Sequence, residues 1–172
     1  AAAAMIAIAI GVWVIGDGTQ RAYAQPELAE IHHANARHGN DFRPCHDGKG
    51  IARRIGKHCG RRVAVPVLPG GCQYVGSTLA TFRDRTVASA VIESDGQAIS
   101  VITLRDEAAS LGFSHRQQRD GQTVYLCGYE DCRMAALTVD GVTLVATGDM
   151  DHDQLIVLLQ AFAAANASPA AD

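Results

Sequence analysis

The chain has 172 residues, a formal net charge of -3 and an aromatic content of 5%. That length holds one domain of about 100–150 residues with an appendage, and the slight acidity excludes a global basic field for nucleic acid. With so few aromatics the core must be built from Val, Ile, Leu and Ala, which leaves five cysteines and seven histidines as the chemically distinctive residues.

Residues Ala1 to Ile15 read AAAAMIAIAIGVWVI and carry no charge. Met5, Ile6 and Ile8 lie in the run, and Trp13 sits near its polar end, where a membrane-interface aromatic is expected. A spanning helix takes about 20 apolar residues, and Gly16-Asp17-Gly18 closes the stretch, so residues 1–18 are predicted to be a transmembrane anchor. Ala22-Tyr23-Ala24 has the small-x-small form of a cleavage site, which makes a signal peptide the rival reading; Asp17 and Arg21 between run and site favour the anchor. A buried core helix fits less well, because the run has no polar face. Anchor and signal peptide both place the rest of the chain outside the cytoplasm.

Residues 19–44 read as a polar connector with Pro26, Gly39 and Pro44, the cluster His32, His33 and His38, and a short helix over Leu28–Arg37. The domain proper is expected over 45–165, with a tail at 166–172. A helix from Gly50 to His58 places Ile51, Ile55 and Cys59 on one face and stops at Gly60. Val63–Val67 then alternate as a short strand, closed by Pro66 and Pro69-Gly70-Gly71. From Cys72 the pattern becomes short strands: Gln73–Arg83, Thr86–Glu93, Gln97–Leu104, Phe113–Arg119, Gln122–Leu126, Arg133–Val139 and Val142–Ala146, with a loop or one-turn helix from Asp106 to Gly112. Asp95-Gly96, Asp120-Gly121 and Asp140-Gly141 are two-residue hairpin signals, because both positions of such a turn need positive φ. Asp151 caps a last helix, with Gln154 completing a capping box and Leu155, Leu158, Leu159 and Phe162 forming its apolar stripe. The predicted fold class is α+β: a transmembrane helix, then a helix, an antiparallel β-meander of five to seven strands, and a C-terminal helix.

Cys127 and Cys132 bracket four residues between two strands, and a disulfide across that hairpin mouth is expected in an oxidising compartment. Cys45, Cys59 and Cys72 flank the basic helix, and two of them could also pair. Phe42-Arg43-Pro44-Cys45-His46 resembles the haem-attachment pattern C-x-x-C-H with Phe42 in place of the first cysteine; Met134 or Met150 would have to supply the second axial ligand. A metal site for copper or zinc could alternatively draw on His32, His33, His38, His46 and Cys45. Haem or metal is the lesser reading, with Cys45, His46 and His38 as its residues, and no cofactor is the expectation. Arg53, Arg54, Lys57, His58, Arg61 and Arg62 form a basic patch that would suit anionic head groups or an acidic partner; a solvated helix face is the plainer alternative. There is no G-x-S-x-G, Walker loop, H-E-x-x-H or dinucleotide fingerprint, so no enzyme is expected.

An ordered series of short segments adds to this reading. It runs from the apolar stretch through Arg37-His38, Cys59-Gly60-Arg61-Arg62-Val63, Val67-Leu68-Pro69 and Tyr74-Val75-Gly76. It continues with Ala88–Ile92, Ile99–Leu104 and Thr123-Val124-Tyr125, then Thr147-Gly148-Asp149-Met150 leading into Leu155–Phe162. In this order the chain resembles the anchor and extracytoplasmic region of bacterial transmembrane anti-sigma factors, over about residues 1 to 162. The five cysteines and the Phe42–His46 segment depart from that pattern. The resemblance implies a single-pass protein of a bacterial inner membrane, with a non-enzymatic regulatory domain in the periplasm, acting in signal transduction. Its partners would be the bilayer and a sigma factor held by a cytoplasmic domain before the anchor. The alternative is an accessory subunit of a larger membrane complex.

Overall fold

The computed structural model describes residues 24–39, 41–60 and 62–167. The anchor candidates Met5, Ile6, Ile8 and Trp13, and Arg61 of the basic patch, lie outside them. No helix among the described residues is long and apolar enough to cross a membrane.

In chain order the elements are α1 (Ala24–Ala36), β1 (Arg43–Pro44), α2 (Gly48–Cys59), β2 (Cys72–Phe82), β3 (Arg85–Ser94), β4 (Gln97–Leu104) and a 3-10 turn at Ala108–Leu111. Then come β5 (His115–Arg119), β6 (Gln122–Tyr129), β7 (Cys132–Val139), β8 (Val142–Gly148) and α3 (His152–Ala167). The eight strands form one antiparallel sheet in the order β1-β2-β3-β4-β8-β7-β6-β5. Two meanders, β2 to β4 and β5 to β8, therefore meet at a central β4–β8 seam, where Val101 faces Ala146 and Ile102 faces Val145. The predicted α+β class holds among the described residues, as three helices on an eight-stranded antiparallel sheet.

The hairpins follow the sequence signals. Asp95-Gly96, Asp120-Gly121 and Asp140-Gly141 all have positive φ at both positions, the turn that matches strand twist. The β2–β3 turn uses Arg83 and Asp84 in the same conformation, without the glycine that would mark it. At the α3 start the Gln154 half of the capping box is present, the Asp151 N–H donating to Gln154 Oε1 at 3.2 Å, while the Asp151 carboxylate accepts from Arg133 Nη1 at 3.1 Å.

Both faces of the sheet are covered. On one, α2 and α3 pack Ile51, Ile55, Leu155, Leu158, Leu159 and Phe162 against Ala90, Ile92, Val101, Leu137 and Leu144. On the other, α1 and the 3-10 turn pack Leu28, Ile31 and Leu111 against Ile102, Met134, Ala136 and Val145. Successive residues such as Val101 and Ile102 thus enter opposite cores, which is why the middle strands read as apolar runs.

Four expectations change. The 19–44 connector contributes α1, whose Ala24, Leu28, Ala29 and Ile31 are buried. Residues Val63–Val67 form no strand. The peptide groups around Ala64 are satisfied by a side chain instead: Asn166 Oδ1 accepts from the Ala64 N–H and Asn166 Nδ2 donates to the Ala64 carbonyl, both at 2.9 Å. Asn166, placed in the expected tail, is therefore a helical clamp. Finally, β1 is an additional two-residue edge strand, paired with Gly76 and Ser77 of β2.

Candidate functional site

Helix α1 lays polar side chains on the buried Ser100 of β4 and on the β6–β7 hairpin. His32 Nδ1 and Asn35 Nδ2 both lie 3.1 Å from Ser100 Oγ on β4. Ser100 is paired in register with Thr147 of β8, whose buried Oγ1 has no hydrogen-bond partner among the described residues. One residue along the helix, His33 turns toward the hairpin. Its Nε2 is 3.1 Å from Asp131 Oδ1 and 3.3 Å from Cys132 Sγ, and Sγ and Oδ1 are 3.7 Å apart. Cys132 is buried, His33 half-buried, and the Asp131 carboxylate exposed.

The electrostatics follow from that gradient of exposure. His32 is buried, which lowers its pKa to about 4. The neighbouring His33 adds to the effect, while Asp131 and Asp149 oppose it. The Cys132 thiol is pushed up to about 12, first by burial and then by the Asp131 charge; burial alone raises Cys127 to about 12. Asp131 is held below the usual carboxylate value, first by its own backbone hydrogen bond and, against some desolvation, by His33.

A Cys-His-Asp set invites comparison with a nucleophilic triad. There the thiol and the carboxylate occupy different ring nitrogens, so a proton can pass through the imidazole. Here both lie on Nε2 of His33, and the thiol is held neutral. The arrangement suits ligation of an ion by sulfur, nitrogen and oxygen rather than activation of a nucleophile.

The other candidate residues are placed elsewhere. Cys127 opposes Met134, while Cys132 opposes Tyr129. The two cysteines are therefore diagonal, about 7–8 Å apart by sheet geometry, beyond the usual disulfide reach of about 4.4–6.8 Å between Cα atoms. No disulfide links them, nor any pair among Cys45, Cys59 and Cys72. Cys45 Sγ donates to the Asp47 carbonyl, His46 Nδ1 meets the Tyr74 carbonyl at 2.7 Å, and His38 stacks on Phe42. These side chains make no shared ligand cluster among the described residues. In the basic patch, Arg53, Lys57 and Arg62 are exposed, but Arg54 is structural: its guanidinium binds Asp41 Oδ2 at 2.7 Å and the Ser77 carbonyl at 2.8 Å.

Asp131, Ser100 and Asn35 were not legible as site residues. Asp131 is one of the four residues bracketed by Cys127 and Cys132, and its partner His33 lies 98 positions away. The one local signal is the adjacency of Asp131 and Cys132 at the mouth of a tight hairpin. Compared with known proteins, the chain matches no family model and no curated protein.

Proposed function

We propose that this chain is a non-enzymatic regulatory domain of the transmembrane anti-sigma type, held at a bacterial inner membrane with its α+β module outside the cytoplasm. The observation that supports it is the docking of α1. This helix follows shortly after the charge-free N-terminal run, and polar contacts fasten it to both halves of the sheet. His32 and Asn35 reach Ser100, His33 reaches the β6–β7 hairpin, and the Glu27 carboxylate accepts the Arg83 N–H at 3.0 Å. Loosening or tightening that latch changes how the sheet is tethered to the segment before it, which is what a single-pass transmitter requires.

An accessory subunit of a membrane complex is the second reading, favoured by β5. It is the outermost strand of its meander, with exposed His115, Arg116 and Arg119, and its unpaired edge could accept a strand from a neighbouring chain.

The test is extraction of the native protein from its membrane in mild detergent, with intact mass and co-purifying chains recorded. A mass well above 18.2 kDa with a sigma factor retained is the expected result. A mass near that value with other membrane subunits attached selects the accessory reading. Recovery wholly outside the membrane fraction overturns both.

A further inference from the structure

His33, Asp131 and Cys132 come from two elements far apart in sequence, yet they bring three different ligand atoms to one point. Without an ion, the His33 Nε2–H and the Cys132 S–H both have Asp131 Oδ1 as acceptor, at 3.1 and 3.7 Å. The three ligand atoms lie within 4.8 Å of one another, and a cation among them would take an electron pair from each.

We propose that this chain binds a zinc-class divalent ion through Nε2 of His33, Oδ1 of Asp131 and Sγ of Cys132, with a fourth position open to solvent beside Asp131. The dimensions agree. Tetrahedral zinc, with bonds of about 2.3 Å to sulfur and about 2.0–2.2 Å to nitrogen and oxygen, separates its ligands by roughly 3.3–3.6 Å. The separations here are 3.1, 3.3 and 3.7 Å, so side-chain adjustment of a few tenths of an ångström is enough. The donor set selects the metal class: calcium and magnesium take all-oxygen shells, whereas mixed sulfur and imidazole suits zinc and its soft neighbours. On binding, the Cys132 thiol releases its proton to solvent as the sulfur–metal bond forms. Thiolate and carboxylate together then balance the ion's two positive charges. The bound ion ties α1 to the β6–β7 hairpin; this last consequence rests on the regulatory reading above, while the binding itself does not.

The experiment uses the full chain in mild detergent, stripped with a chelator and titrated with cobalt(II) as the spectroscopic probe for zinc(II). The expected result is a thiolate-to-cobalt charge-transfer band with intense tetrahedral d–d absorption, saturating at one equivalent and displaced by zinc(II). Cys132→Ser should abolish the charge-transfer band. Asp131→Asn, an isosteric change in an exposed turn, should weaken binding by more than about tenfold, a loss seen even for outer-shell changes. Replacing Cys45, Cys59 and Cys72 together by Ser should leave the spectrum unchanged. Absence of the band, or its persistence in Cys132→Ser, overturns the site. Hydrogen exchange then examines the clamp: zinc(II) should slow amide exchange across α1 in the parent chain and much less in Asp131→Asn. Binding without that slowing overturns the clamp alone. Failure of the regulatory reading would show instead in the co-purification result.

Discussion

His32 shows how one buried side chain can set a pH dependence. It lies on the buried side of α1, hydrogen-bonded to Ser100, and is faced by His33 on the same helix and by Asp131 and Asp149 from the loops that follow β6 and β8. In the unfolded chain it takes up a proton near 6.5, whereas in the folded protein it does so only near 4. Between those values the unfolded state binds the proton and the folded state does not. Stability is therefore complete above pH 6.5 and falls as the pH drops toward 4, by roughly 3 kcal/mol at most. Urea midpoints recorded against pH in the presence of a chelator should show this slope. His32→Gln keeps a polar group toward Ser100 but does not titrate, so its profile should be flatter across the same window. An equal slope in both proteins would assign the effect to another group. Asn166 is a second residue whose role can be isolated. Replacing it by Ala removes both bonds to the Ala64 peptide, and a loss of about 1–3 kcal/mol is expected in denaturant titrations.

Among the elements, α2 and β1 depend on each other through small residues. Asp47 caps α2, its carboxylate accepting from the N–H groups of Lys49 and Gly50. Ala at an interior helix position is ordinarily better than Gly by up to about 1 kcal/mol. At Gly50, however, a Cβ would lie 2.7 Å from Cys45 Sγ. Gly50→Ala should thus destabilise the protein, and in a Cys45→Ala background the same change should become neutral or favourable. A double-mutant cycle in urea measures this coupling, and simple additivity would refute it. Gly76 is stricter, because its Cβ would meet the Arg43 carbonyl at 2.6 Å and the Phe42 ring at 2.7 Å. Backbone cannot yield as a side-chain tip can. Gly76→Ala should displace β1 from the sheet at a cost of about 1–3 kcal/mol, visible as faster proteolysis between residues 41 and 47.

At the scale of the molecule, the sheet carries two unequal covers. α2 and α3 cover one face, and α1 covers the other with the 3-10 turn, its polar contacts converging on Ser100 and the β6–β7 hairpin. Ser100→Ala removes the hydroxyl that His32 and Asn35 share. It should cost about 1–3 kcal/mol and, more tellingly, raise amide exchange in residues 24–36 while leaving α2 and α3 as protected as before. Uniform loosening of all three helices would mean that α1 does not open on its own.

Much of this molecule was determined locally. The Asp-Gly turns, the Ile51/Ile55 face and the α3 stripe are short-range patterns, and each led to the right element because hairpins and amphipathic helices depend on neighbouring residues. The strand assignment for Val63–Val67 failed because Asn166, about a hundred positions later, supplies the hydrogen bonds a sheet neighbour would have supplied. Helix α1 was underestimated because its two exposed-looking histidines face protein, one the buried Ser100 layer and the other the hairpin. The Cys127–Cys132 spacing suggested a covalent bridge, yet register decided otherwise: residues five apart around a two-residue turn are diagonal, not opposed. The candidate ligand set was beyond local reading altogether, since only the layering of α1 on the sheet brings His33 to Asp131 and Cys132. Sequence by itself specified the hairpins from β2 to β8, helices α2 and α3 and the apolar character of their faces; the tertiary structure alone chose which polar side chains meet, because those encounters depend on how separately determined layers stack.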